Sequence, residues 1–180
     1  MRALLLKGPQ KFGLENVATP KPSQGEVIID VEVTGLGGSE VAALQNPGLR
    51  PLPNIMGHGL CGVTTAGQRI AVFPLSGCGD CLYCNQGQSQ LCDDWSLIGV
   101  QRPGGFAEQV SVPESALFHL PASLSWEQAS FIEPFANAVN AWERAQPKPT
   151  DPVRIVGAGS RGLGLTAMAR EQGSGTALVP

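Results

Sequence analysis

The sequence lacks any apolar run approaching the roughly 20 residues that a membrane-spanning helix requires. It also lacks a basic run, and its formal net charge is −3. That balance argues against nucleic acid or an anionic membrane as a partner. There is no internal repeat and no low-complexity tract. Near the start, Ala3-Leu4-Leu5-Leu6 is too short for the apolar core of a secretion signal, and Lys7, Gly8 and Pro9 follow at once. A cytoplasmic location with reduced thiols is therefore expected. Apolar residues make up 42% of 180, enough for one good domain plus part of another. Gly (23) and Pro (15) are frequent, which predicts many turns and short strands.

Cysteine is scarce and unevenly placed. Four of the five cysteines fall in Cys78-Gly-Asp-Cys81-Leu-Tyr-Cys84 and, seven residues later, Cys92. Two disulfides or one metal ion could use such a window. The intracellular context favours the metal, because a borderline ion such as zinc takes four thiolates in a tetrahedron. Gly77, Gly79 and Gly87 give the loop the freedom to wrap it. Four thiolates fill the coordination shell, so this zinc is expected to be structural, leaving no position for substrate.

Short strands are predicted over 3–7 and 12–17. The clearest strand is 26–34, where Val27, Ile29, Val31 and Val33 alternate with a mostly polar face. Gly35-Leu-Gly37-Gly38-Ser39 breaks it, and Ser39 can cap a short helix over 40–44. Gly57-His58-Gly59 leads into another strand, 69–73 forms a further one, and β-structure resumes over 106–112. Ser125-Trp-Glu-Gln128 fits a capping box. Pro134 suits the first turn of a helix running on through 136–145. Residues 146–152, rich in proline, read as a linker and the domain boundary.

Beyond it, Val153-Arg-Ile-Val156 is a short apolar strand that runs into Gly157-Ala-Gly159-Ser-Arg-Gly162, with a helix predicted over 163–171. A GxGxxG between strand and helix points to a dinucleotide pyrophosphate held at a helix N-terminus. The bland alternative is an ordinary glycine-rich turn.

Together these motifs carry a resemblance. With Gly35 to Glu40, Gly57-His58, the cysteine lobe, Gly104-Gly105-Phe106-Ala107-Glu108, Glu133-Pro134 and the final glycine turn in this order, the chain resembles the zinc-containing alcohol dehydrogenases of the medium-chain dehydrogenase/reductase superfamily, closest to their polyol, sugar and threonine dehydrogenase branch. The resemblance implies a mainly β, GroES-like barrel catalytic domain over 1–146, with a zinc lobe at 77–93. It implies that 152–180 is the first βα unit of an α/β Rossmann domain, with Gly157, Gly159 and Gly162 toward NAD or NADP. It also implies hydride transfer between a small-molecule alcohol or ketone and nicotinamide, and allows a homo-oligomer.

In such enzymes a second zinc, held by a cysteine, a histidine and one or more glutamates, binds the substrate oxygen. Here the cysteine position is Gly37 and the glutamate after the histidine is Gly59. His58 and Glu133 remain as catalytic candidates, two side chains where three protein ligands are usual. Ser39 remains as well, at the family position whose hydroxyl can relay the substrate proton. Cys61, three residues past His58, points to the opposite face of an extended strand. His58 alone would read as structural, Glu133 as a helix-dipole partner, and His119 as structural.

A degenerate catalytic zinc site is therefore expected. Between Gly62 and Gly67 the chain is shorter than the family pattern, and no acidic residue stands near the end of the second Rossmann strand to hold the ribose. The chain is expected to be about half of an enzyme and, alone, a weak dinucleotide binder, with residues 153–180 loosely held or paired with another chain through exposed edges at Ile155, Val156, Leu178 and Val179. Two other functions compete: a zinc-stabilised GroES-like module without catalysis, and an oxidoreductase in which His58 or Ser39 moves the proton without catalytic zinc.

Overall fold

The computed structural model describes residues 1–48 and 50–179, with the side chains of 176–179 left aside. In chain order its elements are β1 (Arg2–Gly8), β2 (Lys11–Asn16), β3 (Glu26–Thr34), α1 (Gly38–Gln45), β4 (Asn54–Ile55), β5 (Leu60–Thr64), β6 (Arg69–Val72), β7 (Leu75–Ser76), α2 (Leu82–Asn85), β8 (Ser96–Leu97), β9 (Gln109–Pro113), β10 (Leu117–His119), α3 (Trp126–Ala129), α4 (Ile132–Ala145), β11 (Val153–Val156), α5 (Ser160–Glu171) and β12 (Thr176–Val179). They form two compact units, 1–130 and 131–180.

In the first unit β3 is central because its alternation gives it one apolar face. It pairs antiparallel with β5 and β9 in a five-stranded sheet of order β10-β6-β5-β3-β9, which curls into half a barrel. Ile29, Leu60, Ile70, Ile98 and Val110 are buried beneath it, and Val27 and Val31 pack against them. A second sheet, β2-β1-β4, covers a smaller core of Leu6, Ala43 and Met56. Ser125 caps α3 as expected: its Oγ accepts from Gln128 N–H at 3.2 Å, and Gln128 Oε1 accepts from Ser125 N–H at 3.0 Å. Regular structure after Gly104-Gly105 begins at Gln109 rather than at 106, since Ala107 makes only an isolated bridge to Ala3.

In the second unit β11 pairs parallel with β12, and α5 covers them. The helix preceding the 146–152 linker belongs to this unit. Gly164 of α5 lies so close to α4 that a Cβ there would meet the Ala138 Cβ at 2.9 Å. Helix α5 begins at Ser160, three residues ahead of the predicted start, because Gly162 is helical. Within β11, Ile155 is buried while Val156 is 78% exposed. The expectation that both form an exposed edge thus holds only for Val156. Leu178 and Val179, expected at the same edge, have side chains outside the described residues. No helix among the described residues is long and apolar enough to cross a membrane.

Candidate functional site

The cysteine lobe leaves the half-barrel at β7 and returns at β8, which closes its neck through Leu75↔Leu97 and Ser76↔Ser96. Its helical turns α2 and Ser89–Leu91 bury nothing of their own. The Sγ atoms of Cys78, Cys81, Cys84 and Cys92 all lie within 4.8 Å of one another. A zinc–sulfur distance of about 2.3 Å in a tetrahedron separates sulfurs by about 3.8 Å, so a small contraction would close the shell.

Two backbone amides already aim at these sulfurs, Cys78 N–H at Cys92 Sγ (3.3 Å) and Cys84 N–H at Cys81 Sγ (3.5 Å). Hydrogen bonds from the Asp80 and Cys81 backbone, and from Cys92, pull the exposed Cys78 thiol down to about 7, toward the thiolate that metals bind. The donor set fits zinc. Among the described residues it is the one group of three or more candidate ligands close enough to share an ion.

The second cluster was only partly legible from the sequence. The turn after β3 starts α1, and Gly37 rather than Ser39 occupies the cap position. A glycine cap brings no side chain, so the reciprocal half of the box does the work: Glu40 Oε2 accepts the Gly37 N–H at 3.0 Å. Ser39, already inside the first turn, donates its Oγ–H to the same oxygen at 3.0 Å. Glu40 Oε1 bonds His58 Nδ1, which the Gly57-His58 turn brings in ahead of β5.

Glu40 is completely buried and the His58 side chain is 12% exposed. Burial works against charge on Glu40, but hydrogen bonds from His58 and Ser39 outweigh it and hold the carboxyl below its ordinary 4.5. Glu40 therefore serves as an ionised anchor for His58 and Ser39. The sequence offered only a faint sign of this, an acidic residue at the third position of a helix whose cap is glycine.

The other candidates fall as follows. Cys61 is buried, its Sγ donating to the Ala129 carbonyl at 3.3 Å, and burial pushes its thiol up to about 11, the behaviour of an inert buried cysteine. Gly37 and Gly59 offer no side-chain ligand, and a Cβ on Gly37 would come within 3.0 Å of Glu40 Oε2. The donor set of a second zinc is thus not met at these two positions.

Glu133 stands in the first turn of α4 in the second unit, where its Oε1 accepts from Asn137 Nδ2 at 2.7 Å. Asn140 Oδ1 accepts from Arg144 at 3.3 Å, so both asparagines make contacts along their own helix. In the same unit Gly157 has φ +99°, and a Cβ on Gly162 would run into the Gly157 carbonyl. Only glycine allows that closeness of turn and helix, which leaves the first amides of α5 at the end of β11.

A half-barrel with a four-cysteine lobe, followed by a strand, a glycine turn and a helix, is the order of a GroES-like catalytic domain and the start of a Rossmann domain in zinc-type dehydrogenases. Residues 23–122 match the alcohol dehydrogenase GroES-like domain, and the chain belongs to that family, within the medium-chain dehydrogenase/reductase superfamily. It is 33% identical over 186 residues to L-galactonate-5-dehydrogenase of Escherichia coli (strain K12), an alignment covering 97% of this chain and 54% of the relative. It is similar to an alcohol dehydrogenase from Escherichia coli CFT073 complexed with NADH (28% identity, TM-score 0.86, 99% of this chain and 62% of that one). It also resembles the cobalt- and zinc-bound alcohol dehydrogenase from Pyrobaculum aerophilum (26% identity, TM-score 0.90, 100% and 58%). The chain spans about half the length of the curated relatives it matches.

Proposed function

We propose that this chain carries the catalytic-domain half of the chemistry of an NAD(P)-linked oxidoreductase acting on a small alcohol or ketone of the polyol or sugar-acid kind. The observation that carries this is the Ser39–Glu40–His58 group, its carboxylate fully buried and its serine exposed, within a fold of this family. Burying a carboxylate against a histidine costs several kcal/mol in desolvation. Catalysis is the better reading than a zinc-stabilised interaction module because the relatives this chain matches are named dehydrogenases.

Cys78, Cys81, Cys84 and Cys92 hold a zinc that stabilises the lobe. Gly157, Gly159 and Gly162 fit a dinucleotide pyrophosphate by presenting backbone N–H groups and the start of α5. When bound, a nicotinamide dinucleotide supplies the hydride acceptor for the alcohol carbon. The alcohol's hydroxyl proton then falls to the protein.

Ser39 already donates its one proton to Glu40, so toward a substrate hydroxyl it acts as acceptor. Ionised Glu40 accepting at Oε1 keeps a proton on His58 Nδ1 and makes Nε2 the nitrogen that gains or gives the second one. His58 is thus the general base of oxidation and the general acid of reduction, and Glu133 is a further candidate in the second unit. The free thiols suit a cytoplasmic setting.

The test is to join this chain in one polypeptide to a complete dinucleotide-binding domain of the family, incubate that protein with NAD⁺ or NADP⁺ and a panel of polyols and sugar acids, and follow the absorbance of reduced nicotinamide. Turnover with one cofactor is expected, falling by roughly 10²–10⁴-fold in His58→Ala, the usual contribution of a general base. No reduction across the panel, or an unchanged rate in His58→Ala, contradicts the reading.

A further inference from the structure

We propose that Gly99, on the segment leaving the cysteine lobe, is a positioning residue for His58, so that the lobe's exit sets where the imidazole sits. The proposal rests on the reading of His58 as a site residue, but its test does not use activity. From β8 the chain passes to Ile98, which is fully buried in the main core and donates its N–H to the Pro74 carbonyl at 2.9 Å. The next residue, Gly99, has φ +79°. Its N–H bonds the Arg102 carbonyl at 2.8 Å, and its own carbonyl accepts from Arg50 Nε at 3.3 Å.

Gly99 lies directly against the backbone that carries His58. A Cβ there would stand 2.7 Å from the Gly57 carbonyl carbon and 2.9 Å from His58 N. The loop ahead of β9 clamps the same turn: Gly105 N–H bonds the Gly57 carbonyl at 2.8 Å, and Phe106 N–H bonds the Met56 carbonyl at 2.9 Å. Gly57 has no slack of its own, since a Cβ on it would meet Thr34 Cγ2 at 2.7 Å. The His58 turn is therefore held between backbone segments at van der Waals range, with one wall anchored by the lobe neck. Packed interiors transmit such displacements rather than absorbing them, and a catalytic group displaced by about 1 Å loses much of its effect.

The experiment exploits two coincidences in the chain. It has two histidines, so His58 and His119 give two imidazole spin systems, the second serving as an internal control. Gly67 shares the φ of +79° but has nothing within 4 Å of its Cβ position. Gly99→Ala and Gly67→Ala thus place alanine at the same positive φ and differ in what the methyl meets.

Imidazole nitrogen shifts are recorded by NMR for the protein and both variants. Gly99→Ala is expected to move the His58 nitrogens and leave those of His119 in place, whereas Gly67→Ala moves neither. A folded Gly99→Ala with His58 unchanged overturns the proposal, as does an equal shift of His58 in Gly67→Ala. Should Gly99→Ala fail to fold, Arg50→Ala removes the hydrogen bond on the Gly99 carbonyl. A smaller shift confined to His58 is then expected, and an unmoved His58 overturns the proposal. A His58 shift, with no turnover of any alcohol once the chain is joined to a complete dinucleotide-binding domain, would leave the proposal standing and count against the functional reading.

Discussion

Replacing Glu40 by alanine is expected to lower the stability of the protein by about 3–5 kcal/mol, the range found when one partner of a buried pair is removed. Glu40 is fully buried, and its two oxygens take the Gly37 N–H, the Ser39 hydroxyl and His58 Nδ1. Alanine leaves the Gly37 N–H and His58 Nδ1, both partly buried, without their acceptor, while the exposed Ser39 hydroxyl can turn to water. Chemical denaturation measures the loss, and a change below about 1 kcal/mol, the level of an ordinary cap, would mean the network is incidental.

The same residue sets a pH dependence. Its folded carboxyl titrates below the 4.5 of the unfolded chain. Its contribution is therefore complete above pH 4.5 and is lost as the pH falls through the folded value. Glu40→Gln, which has no carboxyl to titrate, is expected to flatten that acid limb.

The second large effect belongs to the lobe. Replacing Cys92 by serine is expected to remove the zinc, from about one per chain to near none, and to open residues 77–93 while the five-stranded sheet persists. The reason is the near absence of a core there: Leu82 is 67% exposed, and of the four ligands only Cys92 is buried. A segment that buries so little apolar surface cannot offset its own ordering entropy, so the metal–thiolate bonds must hold it. Hydrogen exchange resolved by segment, with elemental analysis, is the check. Retained protection across 77–93 in the zinc-free variant would show that the lobe folds without metal.

Local patterns were legible in the sequence wherever one stretch of chain decides the outcome. The period-2 alternation of 26–34 marked β3 from end to end, Ser125 and Gln128 marked their capping box, and the cysteine spacing marked a lobe whose sulfurs do converge. What stayed hidden depends on distant pairs. Glu40 and His58 are 18 residues apart, and only the antiparallel return of β5 on β3 brings them together. Ile155 looked like an exposed edge because nothing near it in the sequence says that α5 will cover it. Gly162 looked like loop because glycine weakens a helix. Its helical place is instead set by how closely the turn must approach Gly157.

The central claim is that metal is held in the cysteine lobe while the His58 site works from its own side chains. Zinc K-edge absorption, together with a metal count on the protein purified without added metal, tests it most directly. The expected result is about one zinc per chain with a shell of sulfur alone at about 2.3 Å. A second zinc, or nitrogen and oxygen ligands at about 2.0–2.2 Å, would place metal at His58 and contradict the account.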